Sequence, residues 1–257
     1  MQPLSVEPTP TAPLADRWRR RIRYLRVSVT DRCNYRCAYC MPAEGFAPTA
    51  RSAILTLEEI ATFVGVMAEL GVERVRLTGG EPLVRKGIVD LVGQLSALPG
   101  IRQVAMTTNG HVLDTFADPL WRAGLRGLNV SVDTFDAGRF TEITRGGDLD
   151  RVVRGIEAAS AAGFTQIRLN AVAVRGVNDG ELADVAIRAW ALDTIPRFIE
   201  LMPIGGLDFQ SEDRRLSTDD ILAELRAALP LRRLGRPDDG LPVGPAAYWV
   251  VTDGPFA

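Results

Sequence analysis

The chain has 257 residues, 46% of them hydrophobic, enough for one sizeable core or at most two small domains; a disordered or fibrous protein is excluded. Thirty basic residues against 32 acidic ones give a formal net charge of -2, so no global positive field exists to hold a nucleic-acid backbone, and any anionic ligand has to be held locally. A single His (His111) and three Cys exclude His-rich zinc sites and multi-bridge disulfide scaffolds, and since Lys86 is the only lysine, an isolated Arg says little about function.

Residues 1–17 read as a flexible tail: Pro3, Pro8, Pro10 and Pro13 interrupt it, and it holds no apolar signal core. No apolar run of about 18 residues follows, so no membrane span is expected and the protein reads as cytoplasmic, with reduced thiols. The Arg17 to Arg23 cluster reads as a solvated approach to the first strand. Strand patterns then occur at Tyr24 to Thr30, Arg74 to Thr78, Gln103 to Thr107, Gly127 to Val132, Gln166 to Val174 and Arg197 to Met202. Helical patterns lie between them at Leu57 to Leu70, Ile88 to Leu98, Phe116 to Ala123, Leu149 to Ala162 and Gly180 to Ala191. Thr56 with Glu59 predicts a capping box and Gly71 a helix stop, and a similar start follows Ser217. Six β-α units predict an α/β fold with a parallel sheet, either a partial barrel or an open doubly wound sheet. Both place ligands at the C-terminal ends of the strands. After Leu234 the pattern decays into Gly, Pro and Asp, with one short strand-like run at Tyr248 to Thr252.

All three cysteines follow the first strand as Cys33-Asn-Tyr-Arg-Cys37-Ala-Tyr-Cys40. Three thiolates cannot close a tetrahedral zinc site, but they can hold three corners of a [4Fe-4S] cluster and leave the fourth iron open to a small molecule. The competing reading, three buried structural thiols on one loop, is costly to keep unoxidised. After the second strand stands Thr78-Gly79-Gly80-Glu81-Pro82-Leu83; two glycines permit close backbone approach, and Glu81 can receive an ammonium group, although an ordinary β-α turn has the same composition. Thr107 to Gly110 and Asn129 to Asp133 place short polar side chains at two further strand ends.

The cysteine spacing, with Tyr39 before the last Cys, resembles the signature of the radical S-adenosylmethionine (SAM) enzymes, and the Gly-Gly-Glu-Pro loop strengthens the likeness. The resemblance implies a partial (β/α)6 TIM-type barrel, one three-Cys-ligated [4Fe-4S] cluster, and SAM as the source of a 5'-deoxyadenosyl radical. The flanks Leu25 to Asn34, Cys40-Met41-Pro42, Arg76 to Arg85, Val130 to Asp133, Asn170-Ala171-Val172, Gly176 to Asp179 and Arg197 to Pro203 resemble a narrower family, the GTP 3',8-cyclases of molybdenum-cofactor biosynthesis. These are lyases converting GTP to (8S)-3',8-cyclo-7,8-dihydroguanosine 5'-triphosphate. By this resemblance Cys33, Cys37 and Cys40 bind the cluster, Tyr39, Gly80, Ser131 and Met202 contact SAM, and Arg26, Arg76, Thr107 and Arg168 contact GTP. It further implies a reductant protein and a downstream pterin-forming enzyme as partners, neither nucleic acid nor membrane, and leaves room for a homodimer.

Position 168 is Arg where that family usually has Lys, and a fork replaces a point charge. The family's C-terminal segment with three further cysteines is not recognised in residues 236–257, which read as its truncated start after a barrel spanning residues 18–235. On that expectation the chain cleaves SAM but turns over GTP slowly. Radical chemistry on another substrate, and an inactive cluster-binding remnant, remain as alternatives. Arg26 and Arg76 alternate with apolar neighbours, which predicts guanidinium groups facing a core, where a triphosphate or a structural carboxylate would have to pair them.

Overall fold

The computed structural model of the chain describes residues 13–203, 208–234 and 246–256. In chain order the elements are β1 (Tyr24–Ser28), α1 (Leu57–Glu69), β2 (Arg74–Thr78), α2 (Ile88–Ala97), β3 (Gln103–Thr108), α3 (Leu113–Arg122) and β4 (Leu125–Ser131). There follow α4 (Ala137–Thr144), α5 (Leu149–Ala162), β5 (Ile167–Ala173), α6 (Leu182–Ala191), β6 (Thr194–Glu200), α7 (Thr218–Ala228), β7 (Leu231–Arg233) and β8 (Trp249–Val251). The first six strands form one sheet in the order β1-β2-β3-β4-β5-β6. A doubly wound sheet reverses its strand order at a switch point, whereas this order runs in sequence from edge to edge. The α/β class with the (β/α)6 order of a partial TIM-type barrel is therefore the one adopted.

The chain divides into two compact units. The first comprises Met1–Asn34, Phe46–Val130 and Arg151–Ile167. Its parallel register sets Arg26 opposite Arg76 and Ser28 opposite Thr78, then Arg76 opposite Ala105 and Thr107 opposite Asn129. Val75, Leu77, Met106 and Leu128 are fully buried on the strands, as are Val64, Leu91, Leu95 and Leu120 on the helices. α1 starts where expected because the Thr56 hydroxyl accepts from Glu59 N at 3.1 Å while Glu59 accepts from Thr56 N at 2.7 Å. α3 reaches further back than its weak pattern suggested, since Leu113, Ala117 and Leu120 form one buried stripe. Near the N-terminus Leu14 N donates to Leu70 O (2.7 Å), and Asp16 caps the turn to Arg20, so the expected tail boundary at residue 17 falls inside this turn. Residues 1–12 lie outside the described residues.

The second unit comprises Tyr35–Gly45, Ser131–Asp150 and Arg168–Ala257. Ala173, Leu182, Ala186, Leu216, Ile221 and Leu225 form its core, with Trp190, Phe198, Leu229 and Leu231 packed against it. α7 begins at a second capping box, Ser217 with Asp220. β8 returns antiparallel to β7, and Thr252 N donates to Pro230 O at 2.9 Å. The expected Gly/Pro/Asp-rich run at 235–245 lies outside the described residues. α4 has no counterpart in the sequence expectations. Asp136 caps its N-terminus by accepting from Arg139 N at 2.7 Å, and it buries Phe140, Ile143 and Thr144.

Thr56→Ala removes one half of the reciprocal cap and should cost about 1 kcal/mol of stability. Anaerobic urea denaturation should show a lower midpoint with an unchanged slope.

Candidate functional site

In the first unit the chain leaves β1 and continues to pair with the segment leaving β2. Val29 N donates to Thr78 O (2.9 Å), Gly80 N to Thr30 O (2.7 Å), and Glu81 N to Arg32 O (2.7 Å). This ladder runs up to Cys33, and it explains the two glycines. Gly79 has φ +150°, and a Cβ there would stand 2.4 Å from Thr30 O; at Gly80 it would stand 2.2 Å from Arg32 O. The close approach that Gly79 and Gly80 permit is thus made first by the cysteine loop itself. Gly80 remains exposed on its other side.

Glu81 departs from the sequence expectation. Its carboxylate is buried and already taken: Oε1 accepts from Leu83 N (3.0 Å) and the Thr108 hydroxyl (2.7 Å), and Oε2 accepts from Asn109 N (2.6 Å). Burial pushes its pKa up, and these hydrogen bonds oppose the rise. Glu81 braces the end of β3 against the end of β2. Asn109, so held, donates from Nδ2 to Asn34 Oδ1 at 2.8 Å and towards Cys33 Sγ at 3.9 Å.

The expected cations behave differently from one another. Arg26 is exposed, which corrects the expectation that it faces a core. Arg76 is half-buried; Nε donates to Tyr24 Oη (2.6 Å) and Nη1 to Met106 O (3.1 Å) and Thr107 Oγ1 (3.3 Å). Neither arginine has an acidic partner among the described residues. Facing each other in register, two like charges repel unless an anion joins them. Next to Thr107 in register, Asn129 is buried and its Oδ1 has no hydrogen-bond partner, a deficit of about 1–3 kcal/mol that a ligand hydroxyl would remove.

In the second unit α4 holds the rest of the cysteine loop. Arg36 N donates to Thr144 O (3.0 Å) and Ala38 N to Ile143 O (2.8 Å), while Arg145 Nη1 donates to Met41 O (3.0 Å). Tyr35 packs edge-on against Phe140, with ring centroids 6.2 Å apart. Cys40 N and Met41 N both donate to Cys37 O, winding Cys37 to Met41 into a tight turn. Tyr39 donates its hydroxyl to Asp133 Oδ2 at 2.8 Å, and Val172 N donates to Asp133 Oδ1 at 2.8 Å. Asn178 Nδ2 bridges Asp133 O and Val172 O, fixing the pair. Burial raises the Asp133 pKa to about 6 despite these donors, and burial with the nearby Asp133 charge lifts the Tyr39 hydroxyl well above its usual value. Ser131 ends β4 half-buried, Arg168 is half-buried on β5 beside Asn170, whose Oδ1 is also unpartnered, and Met202 is 56% exposed just after β6.

A family model described as the radical SAM superfamily matches residues 27–189. The chain belongs to the radical SAM superfamily. Proteins of this superfamily use a [4Fe-4S] cluster and SAM. Relatives include the GTP 3',8-cyclase of Pseudomonas putida, 46% identical over 92% of this chain and 70% of its own length. Those of Pseudomonas savastanoi and Alkaliphilus oremlandii are each 44% identical, over 94% and 85% of this chain and 72% and 68% of theirs. Among solved structures, Streptococcus suis SuiB bound to precursor peptide SuiA superposes with a TM-score of 0.64 at 18% identity, over 80% of this chain and 45% of that one. Methylornithine synthase gives 0.61 at 19%, over 79% and 62%. These two likenesses concern the fold alone.

The donor set fits the cluster of a radical SAM protein. Cys33, Cys37 and Cys40 lie within eight residues of one another after β1, three thiol donors for three irons, and Asn109 presents an N–H to one of the sulfurs. Among the described residues no three His, Cys, Asp or Glu gather as a single metal ion requires; thiolates that each hold a different iron have no such requirement. No helix among the described residues is long and apolar enough to cross a membrane.

Gly80→Ala should push the Asp31–Arg32 backbone away and lower the iron content after anaerobic reconstitution; full iron retention with lost SAM affinity would assign the glycine to the ligand alone. The Asp133 carboxyl holds its proton more tightly folded than unfolded, so its contribution to stability is full below its ordinary pKa of 3.8 and is lost as pH rises through about 6. Above that, the buried charge costs about 3 kcal/mol, at 1.36 kcal/mol per pKa unit. Asp133→Asn, which keeps an acceptor for Val172 N, should therefore gain stability over the parent from pH 5 to pH 7.5 in anaerobic urea titrations. Parallel profiles would contradict the buried-charge account.

Proposed function

We propose that the chain carries out the GTP 3',8-cyclase reaction, with Cys33, Cys37 and Cys40 holding the cluster, Tyr39, Gly80, Ser131 and Met202 contacting SAM, and Arg26, Arg76, Thr107 and Arg168 binding GTP. The observation that carries the substrate is the uncompensated pair Arg26 and Arg76, opposite each other on neighbouring strands; their relatives' name supplies which triphosphate. A triphosphate placed across the pair relieves the repulsion and accepts charge-assisted hydrogen bonds. Tyr24, Met106 and Thr107 fix the plane of the Arg76 fork before any ligand arrives, which reduces the entropy lost on binding.

Held by Cys33, Cys37 and Cys40 and reduced by an external one-electron donor, a [4Fe-4S] cluster would supply the electron for cleavage of SAM to methionine and a 5'-deoxyadenosyl radical, which would take a hydrogen atom from the nucleotide. The chain's residues do the positioning. Asp133 holds the Tyr39 hydroxyl and so the Tyr39 ring, the Gly79-Gly80 loop leaves one face open, and Asn129 and Asn170 offer buried acceptors to ligand hydroxyls. A reductant protein, a downstream pterin-forming enzyme and a homodimer are partners consistent with this reading.

The test is anaerobic incubation with SAM, GTP and dithionite, measuring 5'-deoxyadenosine and the cyclic nucleotide separately, beside GTP binding at several salt concentrations. GTP should bind with an affinity that falls as salt rises. Arg76→Ala should weaken it by about 10- to 100-fold, the loss expected for charged hydrogen bonds, and Arg76→Lys should recover only part. SAM cleavage with no GTP binding would transfer the chemistry to another substrate.

A further inference from the structure

Asn109 lies outside the residues assigned above, yet every polar atom of its side chain is committed. Its Oδ1 accepts from His111 N at 3.0 Å, and its Nδ2 faces Asn34 Oδ1 at 2.8 Å and Cys33 Sγ at 3.9 Å. This environment allows one carboxamide orientation. Turned over, Nδ2 would confront a backbone N–H while Oδ1 met another carbonyl oxygen and a sulfur. The backbone of Asn109 is fixed in turn by Glu81, which also takes the Thr108 hydroxyl, and that hydroxyl accepts from Gly110 N at 3.0 Å.

We propose that Asn109 is a positioning residue that tunes the cluster by donating its Nδ2–H to the Cys33 sulfur. A reduced cluster carries more negative charge on its sulfurs than an oxidised one, so a fixed N–H donor stabilises the reduced form more and raises the reduction potential. Glu81 acts through Asn109: its buried carboxylate holds the backbone from which the donor projects. The inference rests on the reading of Cys33 as a cluster ligand.

The experiment compares anaerobically reconstituted wild type, Asn109→Ala and Asn109→Asp by iron content and by the cluster's midpoint potential in an EPR-monitored titration without SAM. Cys33→Ala is run beside them. Iron content should be retained in both Asn109 variants, with the midpoint falling from wild type to Ala and further in Asp, whose carboxylate repels the added electron. Unchanged midpoints in both variants would overturn the donor role, as would loss of iron from both, which would make Asn109 part of the loop's fold alone. Cluster content independent of Cys33 would instead overturn the ligand assignment, and the inference with it.

Discussion

The backbone ladder between the segments leaving β1 and β2 is the constraint on which the first half of the cysteine loop depends. Three amide donors, Val29, Gly80 and Glu81, reach across to Thr78, Thr30 and Arg32, extending a parallel pairing beyond the strands themselves. Such close backbone approach leaves no room for a Cβ at either glycine. A cluster-binding loop needs its sulfurs positioned before metal arrives, and main-chain hydrogen bonds supply that order without occupying the cysteine side chains. The second half of the loop obtains the same support from the C-terminal end of α4, through Arg36, Ala38 and the Arg145 side chain.

Charge is distributed in two ways around these loops. The carboxylates Glu81 and Asp133 are buried, Glu81 accepting three hydrogen bonds and Asp133 two, and in both cases burial is the largest influence on the pKa. They act as braces: one fixes Asn109, the other Tyr39. The cations Arg26 and Arg76 lack acidic partners among the described residues and stand in register, and in the proposed function it is the triphosphate that joins them. With a net charge near zero, attraction of a polyanion would have to come from such local placement of cations, as the proposed function has it.

The alternation of period-2 and period-3.6 patterns made the β-α order legible in the sequence, and the cysteine spacing with the Gly-Gly pair carried the resemblance to the superfamily whose model matches the chain. Strand limits were less legible. β6 begins at Thr194, ahead of the expected Arg197, because Pro196 is tolerated on an edge strand that presents no N–H there to a neighbour. α4 escaped because it is eight residues long, carries Gly138 in its first turn, and announces its buried face only through Phe140, Ile143 and Thr144. The roles of Glu81, Asn109, Asp133 and Asn178 were hidden for a different reason. A short polar side chain at a strand end suits a ligand and a neighbouring loop equally well in sequence, and only the three-dimensional hydrogen-bond partners separate the two.

The central claim, that three thiolates on this braced loop hold one iron-sulfur cluster, is most directly tested by metal analysis of the anaerobically reconstituted protein beside a Cys37→Ser variant. The account predicts about four irons per chain in the wild type, an EPR signal on reduction, and loss of both in the variant. Stoichiometric zinc, or iron retained in full without Cys37, would contradict it.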